Sequence, residues 1–233
     1  MFHGISYLID LFQIASIRVR GRIFMSVKLF ILGRPGSGKS TASYLIAGLA
    51  WERGWSVVRI RDYEILWRMY QADTEHKQFY PAQYNGFDVL DFSVLDTALE
   101  EVEKRVQSYT PFEDRYELII IEFARDDYGE ALKLFSRDFL QNAHFLFIET
   151  DVEICIERIY KRVTYHLTAD DNFVSDYVLR NYYYKDNRQY ILSGLRTDYG
   201  INKQVELIDN VGSLREFFDK VHRFAEQVFE QEM

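Results

Sequence analysis

Residues 33–40 read Gly33-Arg34-Pro35-Gly36-Ser37-Gly38-Lys39-Ser40. The stretch follows an apolar run at 27–32 and opens a helical pattern that begins at Lys39. Its glycines permit backbone conformations that a Cβ would forbid, so successive N–H groups can point at phosphate oxygens. The N-terminus of the helix adds a partial positive charge at the same place. This context predicts a loop that holds the phosphates of ATP or GTP, and it disfavours a chance match in a glycine-rich turn.

Each position of the loop has an expected role. Lys39 is expected to reach the β- and γ-phosphates, and the Ser40 hydroxyl is expected to ligate Mg²⁺. Thr41 is placed to bond the α-phosphate. The remaining phosphate contacts are expected from Gly33, Pro35, Gly36, Ser37 and Gly38.

Strand and helix patterns alternate around this loop. Short apolar runs predict five strands, at 27–32, 56–60, 118–122, 144–148 and 204–208. Four of them are nearly continuous in apolar residues, which is typical of a parallel sheet covered on both faces. Helical spacing predicts helices at 39–53, 93–107, 152–163, 173–192 and 213–229. The alternation predicts one domain, 25–233, with a three-layer α/β/α architecture, a five-stranded parallel sheet and the P-loop NTPase fold.

Composition narrows the class of protein. The chain has 233 residues, 48% of them hydrophobic, and a formal net charge of −8. This acidic balance argues against extended nucleic-acid binding, which relies on neutralising many phosphates. With Cys155 as its only cysteine, the chain can form no internal disulfide, and a reducing, cytoplasmic compartment fits best. The five histidines show no metal-ligand spacing.

Residues 1–24 are interpreted as an N-terminal extension. Their apolar stretch is interrupted by Asp10 and Gln13, so it is too short and too polar to span a bilayer, and no membrane association is predicted. The arginines follow this stretch, whereas a signal peptide carries its positive charge before the apolar part. Two interpretations stay open, an amphipathic helix or a non-native extension ahead of a start at Met25.

A carboxylate and an arginine follow the third predicted strand. Glu122 stands at the end of that strand, where such an acid orients Mg²⁺ or its waters, or acts as a base. Arg125 stands at the carboxyl edge of the sheet, where a guanidinium suits a phosphate or another anion. A strand that simply ends in an exposed glutamate is the alternative.

At this point the chain resembles P-loop nucleoside and nucleotide kinases, of the adenylate-kinase and dephospho-coenzyme-A-kinase kind. Residues 122–125, Glu-Phe-Ala-Arg, look like the Gly-Phe-Pro-Arg of that family. The resemblance implies that Arg125 binds the phosphate of an acceptor nucleotide. The acid is displaced by one residue from the family pattern, and a shift of one in a strand turns a side chain to the other face. Glu122 is therefore expected as a general base or as a supporting group behind the metal ligands.

The region 151–185 carries arginines at spacings similar to those of the same enzymes. Arg158 and Arg162 lie four apart on one predicted helix face, a lid is expected near 163–173, and Arg180 follows. The resemblance implies that these arginines close over the phosphates during transfer. Thr168 stands where a lid arginine is expected. The alternative is a solvated basic face that pairs with acidic neighbours such as Glu153.

The turn after the last strand resembles the Ile-Asp-Asn-x-Gly-Ser-Leu ending of dephospho-coenzyme-A-kinase-like proteins. By that resemblance, Asn210 and Gly212 contribute to an adenine pocket. Ser213 and Glu216 have the spacing of a capping box at the start of the last helix.

The acceptor side depends on residues after the second strand. By resemblance, Asp62 is the candidate base, although its position also suits an N-cap for a helix at 63–70. Arg68 paired with Arg125 would favour a nucleotide acceptor, whereas Asp62 as base would favour a nucleoside or another alcohol. The long segment 71–92 is expected to shape the acceptor pocket with its aromatic residues, or to pack on the surface.

Three functions follow from these residues. The leading interpretation is an ATP- and Mg²⁺-dependent phosphotransferase that acts on a nucleoside, a nucleotide or a related small molecule. The second is an ATP-hydrolysing switch or regulatory module that acts on a protein partner. A polynucleotide end kinase comes third because of the acidic balance. The sequence does not indicate the oligomeric state.

Overall fold

The structure is a computed structural model that describes residues 18–19, 22–23, 25–109, 116–165 and 172–233. Within 1–24, the described residues form two antiparallel strands of two residues each, in which 18–19 pair with 22–23. The interpretations of that extension and of a start at Met25 otherwise fall outside the described residues and stay predictions. Residues 166–171, which include most of the predicted lid, also lie outside the described ranges.

The strands follow the predicted order along the chain. They are β1 (Arg18–Val19), β2 (Arg22–Ile23), β3 (Met25–Gly33), β4 (Ser56–Arg61), β5 (Phe79–Pro81), β6 (Phe87–Val89), β7 (Tyr116–Phe123), β8 (Ala143–Glu149) and β9 (Val205–Asp209). Five of them form one parallel sheet in the order β4-β7-β3-β8-β9. The predicted five-stranded parallel sheet is therefore confirmed. The short strands β5 and β6 pair as an antiparallel hairpin.

Helices cover both faces of this sheet. They are α1 (Lys39–Glu52), α2 (Asp62–Ala72), α3 (Ser93–Ser108), α4 (Tyr128–Ala131), α5 (Arg137–Gln141), α6 (Val152–Tyr165), α7 (Asp176–Asn181), α8 (Leu195–Tyr199) and α9 (Leu214–Glu232). The three-layer α/β/α architecture is confirmed. The Ser213 hydroxyl accepts from the Glu216 amide, and the Glu216 carboxylate accepts in return from the Ser213 amide, so the capping box is present.

Alternate residues of the central strand β3 feed two separate cores. Phe30 and Leu32 pack in the cluster that contains α3, while Leu29 and Ile31 pack in the cluster that contains α1 and α9. All four side chains are fully buried. A strand that is buried on both faces has no solvent-facing residues, which is why the sequence there is a continuous apolar run.

The predicted single helix at 173–192 is wrong. α7 ends at Asn181, and helical structure resumes only before a π-helical turn at Tyr190–Gly194 that continues into α8. The carbonyl oxygens of Tyr183 and Lys185 accept hydrogen bonds from the Arg34 guanidinium instead of from helical N–H groups. Asn187 bonds the loop after β7 through its side-chain amide. Tertiary partners therefore replace the helical hydrogen bonds, an outcome that local periodicity does not encode.

Candidate functional site

The phosphate loop joins β3 to α1 at the carboxyl end of the central strand. Gly36 and Gly38 have φ angles of 81° and 110°, in the region that favours glycine. A Cβ on Gly36 would lie 2.6 Å from the carbonyl oxygen of Cys155, and a Cβ on Gly38 would lie 2.7 Å from Nδ2 of Asn210. Because surrounding residues close in on the loop from outside, neither glycine can carry a side chain without a shift.

The amine of Lys39 lies over the same loop. Its Nζ donates to the carbonyl oxygens of Gly33 at 2.8 Å and Arg34 at 2.9 Å. Burial lowers the pKa of Lys39 to about 8, against the opposing effect of the Glu122 and Asp62 carboxylates. A desolvated ammonium at the start of a helix is a strong attractor for the anionic oxygens of a polyphosphate.

Glu122 lies beside Ser40, at the end of β7. The Ser40 hydroxyl is 3.4 Å from Oε2 of Glu122, and Arg59 donates to Oε1 through Nε at 3.0 Å and Nη2 at 2.7 Å. The expectation that the one-residue shift turns Glu122 away is therefore corrected, because its carboxylate lies on the phosphate-loop side. The alternative of an exposed glutamate is excluded, since Glu122 is buried.

The Ser40 and Glu122 oxygens fit a Mg²⁺ site of the kind that relies mainly on phosphate oxygens and water. Within the described ranges, no cluster of three His, Cys, Asp or Glu side chains is arranged as a metal cage. Mg²⁺ characteristically takes one or two protein oxygens together with substrate phosphates, so this small donor set suits it.

Asp62 and Arg125 form a buried ion pair. Nη1 of Arg125 donates to Oδ2 of Asp62 at 2.6 Å, and both residues are buried. Arg125 also donates to the carbonyl oxygens of Ala124 at 2.6 Å and Leu95 at 2.5 Å. Asp62 is the first residue of α2, whose N-cap is Arg61, and no side chain caps this helix. The N-cap alternative for Asp62 is therefore not what the structure shows.

Two of the predicted lid arginines reach the loop region. Arg158 donates to the carbonyl oxygens of Ser37 at 3.4 Å and Asn210 at 3.1 Å, and Arg162 donates to the carbonyl oxygen of Asn172. Arg180 instead pairs with Glu153 on the surface, as the solvated alternative expected.

Arg68 lies away from the site. Its side chain is exposed on α2 and does not line the cavity described below, so the structure does not bring it to Arg125. Arg180 is likewise outside the lining. Thr168 falls outside the described residues.

The turn after β9 packs against the phosphate loop. Nδ2 of Asn210 donates to the carbonyl oxygen of Ser37 at 2.7 Å, and its backbone N–H donates to Glu149 at 2.8 Å. Gly212 lines the cavity next to this turn. The position agrees with a role beside the nucleotide, while the contact with adenine stays a prediction.

Tyr128, which the sequence did not single out, joins the loop to the segment that carries Arg125. Its hydroxyl accepts from the Gly33 amide at 2.7 Å and from the Arg125 amide at 3.4 Å. It lies 3.2 Å from the Gly33 carbonyl oxygen and 3.3 Å from that of Phe123. Burial raises the pKa of Tyr128, so the phenol stays neutral and can both donate and accept.

We expect Tyr128→Phe to lower the free energy of unfolding by about 1–3 kcal/mol, because the Gly33 amide loses its acceptor in a buried place. Urea unfolding measures this change, and titration with ATP shows whether phosphate-loop affinity falls with it. Tyr116→Phe is the matched control. Its hydroxyl has no hydrogen-bond partner within the described ranges, so an effect under about 0.5 kcal/mol is expected. Equal effects in the two variants would contradict the assigned role.

Arg34 ties the loop to distant segments. It donates through Nε to the Tyr183 carbonyl oxygen at 2.9 Å and through Nη2 to that of Lys185 at 3.2 Å. Its Nη1 forms an ion pair with Glu149 and is 3.4 Å from the Thr150 carbonyl oxygen. The motif leaves this position variable, so the sequence carried no signal for these contacts.

One cavity of about 760 Å³ connects these groups. It runs along the phosphate loop, past Glu122 and Arg158, and reaches the Asp62–Arg125 pair. The predicted site residues in its lining are Pro35, Gly36, Gly38, Lys39, Ser40, Thr41, Asp62, Glu122, Arg125, Arg158, Arg162, Asn210 and Gly212.

Segment 71–92 contributes to this cavity only through its last part. Phe87, Asp88, Val89 and Phe92 line it, which agrees with the expected role in shaping a pocket. The exposed ring of Tyr80 instead belongs to the surface.

A protein-family model matches part of the chain. The family model of novel STAND NTPase 3 matches residues 26–121. No curated protein was found to match the sequence. No helix within the described residues combines the length and apolar character required to cross a bilayer.

Solved structures of small-molecule kinases are similar in outline. A gluconokinase from Sinorhizobium meliloti 1021 is 17% identical, with 89% of this chain and 98% of that chain covered and a TM-score of 0.49. A shikimate kinase from Acinetobacter baumannii in complex with shikimate is 16% identical, with 89% and 96% covered and a TM-score of 0.46. A Mycobacterium tuberculosis APS kinase in complex with AMPPNP and APS is 15% identical, with 86% and 98% covered and a TM-score of 0.47.

The conclusion on the fold rests on this chain's own loop and sheet. The phosphate loop stands between the central strand of a five-stranded parallel sheet and α1, with an acid at the end of the adjacent strand. The chain therefore has the P-loop NTPase fold, and this part of the sequence prediction is confirmed.

Proposed function

We propose that the protein transfers the γ-phosphate of ATP, with Mg²⁺, to a hydroxyl of a small nucleoside-like or nucleotide-like molecule. The observation that carries the proposal is the single cavity that joins the phosphate loop to a buried carboxylate–guanidinium pair. A nucleotide hydrolase needs the first half of that cavity. The part of the same cavity beyond the phosphate loop contains a candidate base, which a phosphoryl acceptor requires.

The described residues supply both halves of the chemistry. Lys39 and Arg158 balance the charge of the phosphates, and the Mg²⁺ held near Ser40 and Glu122 would neutralise charge on the transferring group. Oδ2 of Asp62 accepts from Arg125, and within the described ranges no residue donates to Oδ1. Oδ1 is therefore the atom that takes the acceptor's proton. The acceptor oxygen bonds the γ-phosphorus as the bond to the bridging oxygen breaks, and ADP leaves with the electron pair.

The proposal is tested by measuring ADP release in a coupled assay over a panel of nucleosides, nucleotides and small alcohols. Acceptor-stimulated release, together with a phosphorylated product found by mass spectrometry, is the expected result. ATP binding with no stimulation by any member of the panel would overturn the proposal.

ATP affinity is expected to fall as the pH rises through about 8. The pKa of Lys39 in the free protein is about 8 because of burial, and only its protonated form attracts phosphate. Below that pH the ammonium is present before ATP binds, whereas above it each binding event must take up a proton. The dissociation constant should rise by up to about tenfold per pH unit.

Calorimetric titration between pH 7 and 9.5, in two buffers of different ionisation enthalpy, measures both the affinity and the proton uptake. Lys39→Arg is the matched control, since arginine keeps its charge across this range. A dissociation constant that does not change with pH in the original protein would contradict the assigned role of Lys39.

A second candidate function is an ATP-hydrolysing regulatory module. The observation in its favour is the match of the novel STAND NTPase 3 model to residues 26–121, which contain the phosphate loop and Asp62. The matched segment includes Asp62 and several aromatic residues of the cavity lining, and it stops just before Glu122 and Arg125. ATP hydrolysis that a protein partner stimulates and no small alcohol does would favour this candidate.

A further inference from the structure

The far half of the cavity, next to Asp62 and Arg125, is lined mainly by aromatic rings, and we call it the aromatic chamber. Tyr63 stacks on Phe87 with ring centroids 5.6 Å apart and an interplanar angle of 13°. Phe92 stacks on Tyr182 at 4.8 Å and 25°. All four rings line the cavity, as does the buried ring of Phe123. Aromatic surfaces of this kind bind planar rings by stacking and exclude water from the neighbouring polar groups.

The charge of Arg125 is already balanced in this chamber. Its guanidinium is buried, bonds the Asp62 carboxylate and donates to two carbonyl oxygens. An anionic acceptor would have to displace these partners and come close to the carboxylate. Taking the partner away from a buried charge is strongly unfavourable, so such displacement is disfavoured.

A second carboxylate also disfavours an anionic acceptor. Asp88 lines the chamber, and its Oδ1 accepts from the Ser175 hydroxyl at 3.1 Å. The cation Arg61 also lines the cavity, but its guanidinium is held by Glu64 at 2.7 and 3.0 Å. The carboxylates of Asp62 and Asp88 thus make the chamber suited to hydrogen-bond donors and unsuited to a phosphate group.

The cations that suit phosphates lie toward the other half of the cavity. Arg158 bonds the backbone of the phosphate loop and of the turn at Asn210. Arg162 lies near both halves. Burial lowers the pKa of Lys39 and the charge of Arg162 lowers it further, whereas burial raises the pKa of Tyr63 and the charge of Arg162 opposes that rise. Arg68 and Arg180 face solvent outside the chamber.

We infer that the acceptor is an uncharged alcohol carrying an aromatic ring, such as a nucleoside or an aryl alcohol, and not its phosphorylated form. Its ring stacks in the aromatic chamber, and its hydroxyl meets the free oxygen of Asp62. This inference rests on the proposed phosphotransfer, and it selects one acceptor class among those that the phosphate loop alone allows.

Matched pairs of acceptors test the inference. The pairs are a purine and a pyrimidine nucleoside, each with its own 5′-monophosphate, beside an aryl alcohol and an acyclic polyol. ADP release is measured with saturating ATP, and we expect kcat/KM for at least one neutral ring compound to exceed that of every phosphorylated or acyclic compound by at least about tenfold. Turnover of a monophosphate above its nucleoside, or of the polyol above the ring compounds, would overturn the inference while leaving the proposed function intact.

Direct binding measurements distinguish a failure of the inferred acceptor class from a failure of the proposed phosphotransfer. With a non-hydrolysable ATP analogue present, binding of the same compounds is measured by equilibrium dialysis. A neutral ring compound that binds without any turnover would support the acceptor class and count against phosphotransfer. No detectable binding by the ring compounds would overturn the inference.

A variant of the chamber wall gives a third readout. Phe92→Ala removes one face of the stacked pair with Tyr182 and should raise the acceptor KM about tenfold, with little change in kcat or in the KM for ATP. Tyr184→Ala is the control, because that ring is 73% exposed and lies outside the lining. Equal acceptor KM values in the two variants would contradict the stacking role.

Discussion

Replacement of Lys39 by alanine is expected to reduce ADP formation by about 10²–10³-fold, because removal of one preorganised charge at a transferring group has an effect of this size. The loss should appear in ATP affinity as well as in turnover, since Nζ lies over the loop that receives the phosphates. The fold should tolerate the change. Burial lowers the pKa of Lys39 to about 8, so the folded state holds this cation at a cost, and thermal stability at neutral pH should stay level or rise.

Lys28→Ala is the matched control for this variant. Lys28 is a second partly buried lysine, on β3, whose pKa burial likewise lowers to about 8. Its Nζ donates to the Phe139 carbonyl oxygen at 2.6 Å, away from the cavity lining. Turnover should be kept in this variant, and only stability should change. Retained turnover in Lys39→Ala, measured by coupled ADP release, would contradict the role of the loop.

Replacement of Asp62 is expected to separate catalysis from folding. Asp62→Asn keeps the size of the side chain and an acceptor for Arg125 but loses the base, so turnover should fall by about 10²–10⁴-fold. Asp62→Ala also leaves the Arg125 charge buried without a partner, which should cost about 3–5 kcal/mol in the free energy of unfolding. Both quantities are measured on the same preparations, by ADP release and by urea unfolding.

Two further variants make the prediction sharper. Asp62→Leu combined with Arg125→Met removes both charges and should recover much of the stability without recovering turnover. Glu64→Gln is the control, because it breaks the neighbouring ion pair with Arg61, in which the Glu64 side chain is partly exposed. It should change the free energy of unfolding by under about 1 kcal/mol. If the double variant regains turnover, Asp62 is not the base.

The fold was largely predictable because its elements are decided locally. The apolar runs before Gly33 and before Glu122 are buried on both faces, so their composition alone identifies strands. The capping box at Ser213 is equally local, because its hydrogen bonds join only Ser213 and Glu216, three positions apart. The one long helix predicted at 173–192 failed since Arg34, about 150 positions away, binds the carbonyl oxygens that a continuous helix would use.

The site was predictable in its donor half and less so in its acceptor half. Lys39 and Ser40 occupy fixed positions of a motif, whereas the pairing of Asp62 with Arg125 depends on how two neighbouring strands end together. Arg68 looked equivalent to an anion-binding arginine, but the helical turn places it on the solvent side of α2. No short-range pattern marks Tyr128, which works through backbone atoms that it meets only in the folded chain.

Arg34 has a consequence for protein engineering. The phosphate-loop motif is short, and its contacts to phosphate come mostly from its own backbone, so the loop looks suitable for transfer between proteins. In this chain, however, the guanidinium of Arg34 binds Glu149 and the carbonyl oxygens of Tyr183 and Lys185. A loop transplanted from another protein without this arginine would satisfy the motif and still leave those carbonyl oxygens without their donor.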